Sequence, residues 1–316
     1  MAARHNQSVI TELWLLGFQN LHNSRLILFF VFLGISMAST AGNLLIISLV
    51  SSTQHLRSSP MYFFLSHLAV TDITITVTVS WTLLPALWNK TTLVSIAGCL
   101  CQFFVFASST SIECFLLTVM SYDRYVAICR PLHYAIIMNF TLCHQLAICS
   151  WVLGFTVTLI IVIMVNNLIL CGPNIIDHIF CDLNPLLQLS CSDTTIVQMT
   201  LISLGVPETV MEPAFIITTY VCIFLTILRI PSLNGREKAF STCSSHLTVV
   251  CTYYGTLIAI YITPSGGHTL NISKFLSLLC TVLSPLFNPI IYCLKNNEIQ
   301  TALQKCFQKL KCKYSE

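Results

Sequence analysis

Met120-Ser121-Tyr122-Asp123-Arg124-Tyr125-Val126-Ala127-Ile128-Cys129 closes an apolar run that begins near Cys99. That run is longer than the ~20 residues a helix needs to cross a bilayer. Its end carries an acid, an arginine and two tyrosines. Charge is expensive at membrane depth, so a charged pair there is by default a functional hypothesis. Asp123 beside Arg124 can form an ionic latch that opens when the surrounding helices move. The bland alternative is a chance juxtamembrane Asp-Arg pair.

Outward from this stretch, apolar runs of spanning length recur at about Leu26–Val50, Pro60–Leu84, Cys99–Ile128, Leu142–Val165, Ile196–Leu228, Ala239–Ile262 and Phe275–Leu294. They are continuously apolar and do not alternate over ~10 residues as barrel strands do, so they predict helices. Composition agrees: 55% of the chain is hydrophobic and 9% charged, where a soluble domain carries about 25% charged residues. The expected fold is an all-α membrane protein, a seven-transmembrane helix bundle followed by a short amphipathic helix. The chain reads as one domain over 1–316: an extracellular tail at 1–25, the bundle at 26–294, and an amphipathic helix and cytoplasmic tail at 295–316. No linker, low-complexity tract or internal repeat divides it. The loops are short except the roughly 30 residues between the fourth and fifth spans.

With an outside amino terminus, Arg57, Arg124, Arg130, Arg229, Arg236, Lys238, Lys295, Lys305, Lys309, Lys311 and Lys313 face the cytoplasm, and only Arg4, Arg25, Lys90 and Lys274 face out. That bias obeys the positive-inside rule. The net charge of +3 therefore reports topology, with no basic stripe suited to nucleic acid. Residues 1–25 lack the apolar core and cleavage site of a signal peptide, so the first span is expected to direct insertion. Asn6-Gln7-Ser8 is a glycosylation sequon on the outer tail. After the seventh span, Ile299, Leu303, Cys306, Phe307 and Leu310 share one apolar face beside Lys305 and Lys309, which places this segment on the inner leaflet in contact with membrane lipid. Cys306 and Cys312 are candidate palmitoylation sites.

Asp72 lies twelve residues into the second span, ~18 Å deep at helical rise. Glu113 lies fourteen residues past Cys99, ~21 Å from the outer end of the third. Two buried carboxylates at one depth cannot both ionise without a cation or a shared proton. On the third span, Phe103, Phe106, Ala107, Thr110 and Ser111 recur at helical spacing, and on the sixth so do Tyr254, Leu257, Ile258 and Tyr261. Such a lining, mostly apolar with a few hydroxyls, suits a small, greasy, weakly polar ligand. In the fifth, Val206-Pro207-Glu208-Thr209-Val210-Met211-Glu212-Pro213 puts two acids on one face. Either they contact an amine or another hydrogen-bonding ligand, or they are protonated and reach toward a water-filled vestibule.

Sixteen cysteines are too many to pair by counting. Cys99, Cys171, Cys181 and Cys191 fall on the predicted outer, oxidising side, where disulfides persist. Spacing alone allows three pairings of the four, and Cys101 sits nearby. The cysteines inside the spans read as small apolar packing residues. His178 near Cys181 and Cys191 imitates a zinc site only weakly.

The Met120–Cys129 stretch resembles the MAYDRYVAIC signature of vertebrate olfactory receptors, seven-helix G protein-coupled receptors for small volatile ligands. The resemblance extends over nearly the whole chain. Leu56-Arg57-Ser58-Ser59-Pro60-Met61-Tyr62-Phe63-Phe64-Leu65-Ser66 looks like the family's LHxPMYFFLS, with Arg57 in place of histidine. Lys238–Leu247 matches KAFSTCxSHL, Pro285–Tyr292 matches PxxNPxIY, and Cys171–Asp182 is similar to the family's second outer loop. The resemblance implies an odorant receptor coupled to a stimulatory heterotrimeric G protein that raises cAMP in the plasma membrane. It implies coupling and switch roles for Asp123, Arg124, Tyr125, Tyr220, Lys238, Asn288, Pro289 and Tyr292. It implies an odorant pocket at the third- and sixth-span positions above, with Glu208 added as an unusual contact. It further implies Cys99–Cys181 and Cys171–Cys191 disulfides, and a sodium site on Asp72 and Glu113 with Asn43 and Asn288 nearby. No other cofactor is expected. An enzyme is not expected, because Ser, His and Asp are scattered. A transporter would need repeated halves and broken helices at matched positions, and a retinal photoreceptor would need a lysine in the seventh span. The nearest alternative is a non-olfactory receptor of the same superfamily for a small molecule such as an amine contacting Glu208 and Glu212.

Overall fold

The computed structural model describes residues 10–18, 24–171, 173–262 and 270–314. Eight long helices carry the chain: α1 (Arg25–Ser52), α2 (Pro60–Asn89), α3 (Ile96–Cys129), α4 (Phe140–Asn166), α5 (Thr195–Leu228), α6 (Leu233–Ile262), α7 (Leu270–Lys295) and α8 (Asn297–Tyr314). Among the described residues, six are long and apolar enough to cross a membrane, namely α1 to α5 and, over Ser277–Lys295, α7. α6 carries Arg236, Glu237 and Lys238 in its first turns and no charged residue from Ala239 onward. It packs nonetheless on α7, α5 and α3 and completes a seven-helix bundle.

The helices begin where local chemistry dictates. Pro60 occupies the first turn of α2, where its missing N–H costs nothing. Ser95 caps α3 by accepting from the Gly98 amide at 3.1 Å, and Asn139 caps α4 by accepting from Leu142 at 2.9 Å. Within the spans, hydroxyls fold back on their own helix. Thr74 donates to the Val70 carbonyl at 2.9 Å and Ser109 to Val105 at 2.8 Å, so these polar side chains reach lipid depth with a partner.

Small residues set the closest approaches. A Cβ on Gly154 of α4 would lie 2.5 Å from Ile112 Cγ1 and 3.1 Å from the Ser108 carbonyl of α3. One on Gly42 of α1 would lie 3.0 Å from Pro289 Cβ of α7. Without a water-driven force between helices in lipid, such intimate packing is what joins them. α3 sits at the centre, against α2, α4, α5 and α6, while α7 closes on α1 and α2.

The sequence reading saw the first residues only as a tail, but they supply the central strand of a small sheet. β1 (Glu12–Leu15) pairs antiparallel with β2 (Thr92–Ser95) and parallel with β3 (Ile175–Ile176). Leu13 and Leu15 are fully buried against Cys99, Phe103 and Val165, while Glu12 and Trp14 face outward. Gly17 follows at φ +57°, a backbone region glycine enters freely. At the opposite end of the bundle, Ile299 and Ala302 of α8 are buried in the core, and Lys305 and Cys306 are exposed.

Replacing Gly154 with Ala pushes a methyl into the backbone of α3. We expect a loss of about 1–3 kcal/mol, the range of overpacked cores, read as a lower unfolding temperature and reduced surface expression. An unchanged unfolding temperature would show that α4 can shift outward without cost.

Candidate functional site

At the sheet end, the loop between α4 and α5 is fastened over the bundle. Cys181 is bonded to Cys99 at the start of α3, and Cys171 to Cys191 within the loop. Gln102, one turn into α3, adds a polar clamp: its Nε2 donates to Thr82 Oγ1 at 2.8 Å and its Oε1 accepts from the Cys181 amide at 3.1 Å. Lys274 of α7 is 4% exposed; it pairs with Asp177 of the loop and donates to the Gly17 carbonyl at 3.3 Å. Burial pushes the His178 imidazole below its usual range, which keeps the ring neutral in the same loop. His178 bonds to the Phe180 carbonyl at 3.1 Å, and no group of three His, Cys, Asp or Glu side chains suited to a metal occurs among the described residues.

Beneath the loop lie the expected ligand residues. Phe106 stacks obliquely on Phe180 with centroids 4.8 Å apart. Phe103 is buried among the strand and loop leucines, with Ala107 packed beside it. Thr110 donates to its own helix at the Phe106 carbonyl, 3.0 Å away. Ser111 instead donates across the bundle to Glu208 Oε2 of α5 at 3.0 Å. Tyr254 and Leu257 pack against the central core. Ile258 departs from its expected place: it is 56% exposed on the outer face of α6, because one residue beyond Leu257 the helix has turned by about 100°. The side chain of Tyr261 and the sequon at Asn6 lie outside the described residues.

Halfway down, the two acids meet through α7. Asn288 Nδ2 donates to both Asp72 oxygens, at 3.1 and 3.0 Å, and reaches Glu113 Oε1 at 3.4 Å. Ser284, one turn earlier, donates to the same Glu113 oxygen at 2.8 Å. Asp72 and Glu113 are completely or almost completely buried. No basic side chain among the described residues forms an ion pair with either. Asn43 turns away from them: its amide donates to the Ser39 and Pro285 carbonyls at 3.1 and 2.9 Å, and its Oδ1 is buried without a partner. The two carboxylates and the Ser284 hydroxyl offer hard oxygen ligands that fit a hard cation, whereas Asn288 presents its amide nitrogen to them.

At the end opposite the sheet, Arg124 Nε donates to Asp123 Oδ2 at 2.9 Å, and its Nη2 reaches the same oxygen. Asp123 Oδ1 accepts from the Tyr134 hydroxyl at 2.8 Å. Burial first, and then Asp123, raise the Tyr134 phenol, so it remains a donor. Arg124 and Tyr134 line a cavity of about 650 Å³ together with Tyr62, Lys238, Lys295 and Glu298. Tyr220 bonds to His246 Nδ1 across α5 and α6 at 2.6 Å. Tyr125 packs beside Ile223, Ile227 and Cys243. Tyr292 is fully buried with its hydroxyl unpartnered, three residues after Pro289. Tyr134, Ser284 and Gln102 were not singled out from the sequence. Ser284 stands one helical turn from Asn288, a signal that spacing offers. No periodicity links Tyr134 to Asp123.

A sequence model of the family described as olfactory receptor matches residues 30–310. The chain is 44% identical to "Olfactory receptor 11A1" of Homo sapiens over 94% of its length and 93% of that protein's. It is 42% identical to "Olfactory receptor 5G26" of Mus musculus over 97% and 96%, and 44% identical to "Olfactory receptor 11L1" of Homo sapiens over 97% and 95%.

If the Cys99–Cys181 bond secures the loop to α3, Cys181→Ser lowers thermal stability and surface expression, on the scale of about 2–5 kcal/mol for a lost native disulfide. The Cys99→Ser/Cys181→Ser double variant should cost no more than either single one, because both remove one bond. Additive losses would mean that the two cysteines act separately.

Proposed function

Since the chain belongs to the olfactory receptor family of G protein-coupled receptors, multi-pass membrane proteins and not enzymes, we propose the following specific reading. The protein binds a small, mostly apolar odorant in the sheet-end half of its bundle. It then activates a stimulatory heterotrimeric G protein and raises cAMP. It acts in the plasma membrane with its amino terminus outside, an orientation supported by the excess of basic residues at the latch end. Family membership sets aside the non-olfactory alternative.

The observation that carries the coupling half is the lining of the latch-end cavity. Arg124 is held there by Asp123, which is itself held by Tyr134. A ligand that draws α5, α6 and α7 into another arrangement does so only through its differential affinity for the two states. Movement of α6 carries Lys238 and the Tyr220–His246 bond with it. Arg124 is then freed from Asp123 to donate to carbonyls of an inserted G protein helix. Asn288 and Tyr292 flank the kink that Pro289 permits, since proline removes one backbone hydrogen bond. Along the latch end, α8 lies against membrane lipid on its apolar face.

The ligand half rests on Phe106, Ala107, Ser111, Tyr254 and Leu257, which offer apolar surface with isolated hydroxyls beneath the loop. Between the halves, Asp72, Glu113 and Ser284 are the residues that would hold a sodium ion, with Asn288 beside them and the unpartnered Asn43 Oδ1 on the neighbouring helix. When bound, such an ion offsets the repulsion between the two carboxylates and joins α2 to α3.

Arg124→Ala should abolish odorant-evoked cAMP while the receptor still reaches the surface; full signalling by this variant would remove Arg124 from the coupling step. For the ion, thermal unfolding and agonist titration are compared in sodium and in a large organic cation at equal ionic strength. Sodium is expected to raise the unfolding temperature and lower agonist potency, because it favours the state it binds. Glu113→Ala should blunt both effects. Superimposable curves for the parent chain would leave the acids as a protonated, hydrogen-bonded pair.

A further inference from the structure

We propose that Glu208 and Glu212 make the odorant site selective for a protonated amine, with Tyr254 as the third anchor. This rests on the reading of the sheet-end half of the bundle as the ligand site, and adds the chemistry of the ligand's head.

The local geometry starts with proline. Pro207 has no amide hydrogen, and its ring crowds the carbonyl one turn back. Here α5 widens into a π-turn over Pro207–Met211, closed by the Glu212 amide on the Pro207 carbonyl. Such turns are frequent at functional sites. The result is that both glutamates address α3. Glu208 Oε2 accepts from Ser111 Oγ at 3.0 Å and Glu212 Oε2 from Thr118 Oγ1 at 3.3 Å. Ser111 and Thr118 are two turns apart, about 10 Å along α3. Cys114 lies between them, its sulfur 2.9 Å from the Tyr253 hydroxyl of α6.

The remaining atoms point to the ligand. Glu208 Oε1, Glu212 Oε1 and the Tyr254 hydroxyl are each buried without a hydrogen-bond partner. Glu212 is 8% exposed. Both glutamates lie within electrostatic reach of Tyr254. Among the described residues no basic side chain forms an ion pair with Glu208 or Glu212. A buried acceptor left unmet bears its full desolvation cost, larger when the group is charged. Three unmet oxygens are thus left on α5 and α6, with the two glutamates facing α3.

The ligand classes differ in how they meet these atoms. A carboxylate brings more acceptors and more negative charge. An alcohol brings one O–H. A primary ammonium brings three N–H donors and the missing positive charge. One N–H goes to Glu208, one to Glu212 and one to the Tyr254 oxygen, and the bonds to the carboxylates are charge-assisted. The apolar remainder of the molecule lies against Leu257, which packs in the same core as Tyr254.

The test uses the purified full-length receptor in lipid nanodiscs, so that its readout is binding and not cAMP. Primary amines from butylamine to decylamine, and cyclohexylamine, are compared with their isosteric alcohols by thermal stabilisation and by titration. At least one amine should bind about tenfold or more tighter than its alcohol, the scale of one charge-assisted hydrogen bond. Its quaternary trimethylammonium analogue, which has no N–H, should lose most of that advantage. Glu212→Gln should bring the amine-to-alcohol ratio toward one, and Glu208→Gln should reduce it. Equal affinity for every amine and its alcohol in the parent protein would overturn the proposal. So would an undiminished ratio in both variants, or displacement of the amine's stabilising effect by calcium chloride alone, which would assign the acids to an inorganic cation. An amine-binding receptor that raises no cAMP would refute the coupling reading and leave this one standing. Odorant-evoked cAMP without amine preference would do the reverse.

Discussion

Hydrocarbon offers no hydrogen-bond partner, and each unmet polar group at membrane depth costs several kcal/mol. Much of this molecule follows from that constraint. Backbone groups are met by winding the spans into helices. Isolated hydroxyls are met by their own helix, as at Thr74 and Ser109. Side chains that neither solution satisfies must reach another helix, and many of these bridges involve α3. Gln102 holds the loop, Ser111 and Thr118 meet α5, Cys114 meets α6, and Glu113 meets Ser284 of α7. The central position of α3 is thus recorded in polar bonds as well as in packing.

The two acidic pairs in the bundle solve the same problem differently. Asp72 and Glu113 share one amide, Asn288, so a change at either acid is felt by α7 at its proline kink. Glu208 and Glu212 are held separately by hydroxyls of α3, and each keeps one oxygen unmet. The first pair is tied to α7, and the second joins α5 to α3. Three buried carboxylates and the half-buried Glu208 therefore differ in the partners that neighbouring helices bring to them.

The spans were legible because length and continuous hydrophobicity are local properties. The observed helices begin within about two residues of the expected bounds at α1, α4 and α5. They run further at α2, which continues through Pro85 to Asn89, and at α6, whose polar first turns hide from a hydropathy reading. The loop disulfides followed from resemblance, not from spacing, whereas the latch was legible in the adjacency of Asp123 and Arg124. The sheet was not read, although Glu12–Leu15 does alternate, because four residues make too short a pattern to stand out. Ile258 shows the other limit: spacing lists residues that can share a face, but the rotation of the helix about its axis is set by its neighbours. The convergence of Glu212, Thr118 and Tyr254 depends on three helices at once and no single stretch announces it.

The order of strands across the sheet has a consequence for biosynthesis. β1 is the central strand, yet it is the first to leave the ribosome. Its partners are residues 92–95 and 175–176, which are made only after two and four helices respectively. Until then its amides and carbonyls, and Leu13 and Leu15, lack the partners they have in the folded chain. Closure of the sheet is therefore a late, long-range event, the kind that exposes a nascent chain to misassembly. The Lys274 contact to Gly17 comes later still, once α7 has been made. The cap is completed by the last span joining the earliest strand, so a chain truncated before α7 would reach the membrane with its outer face unsealed.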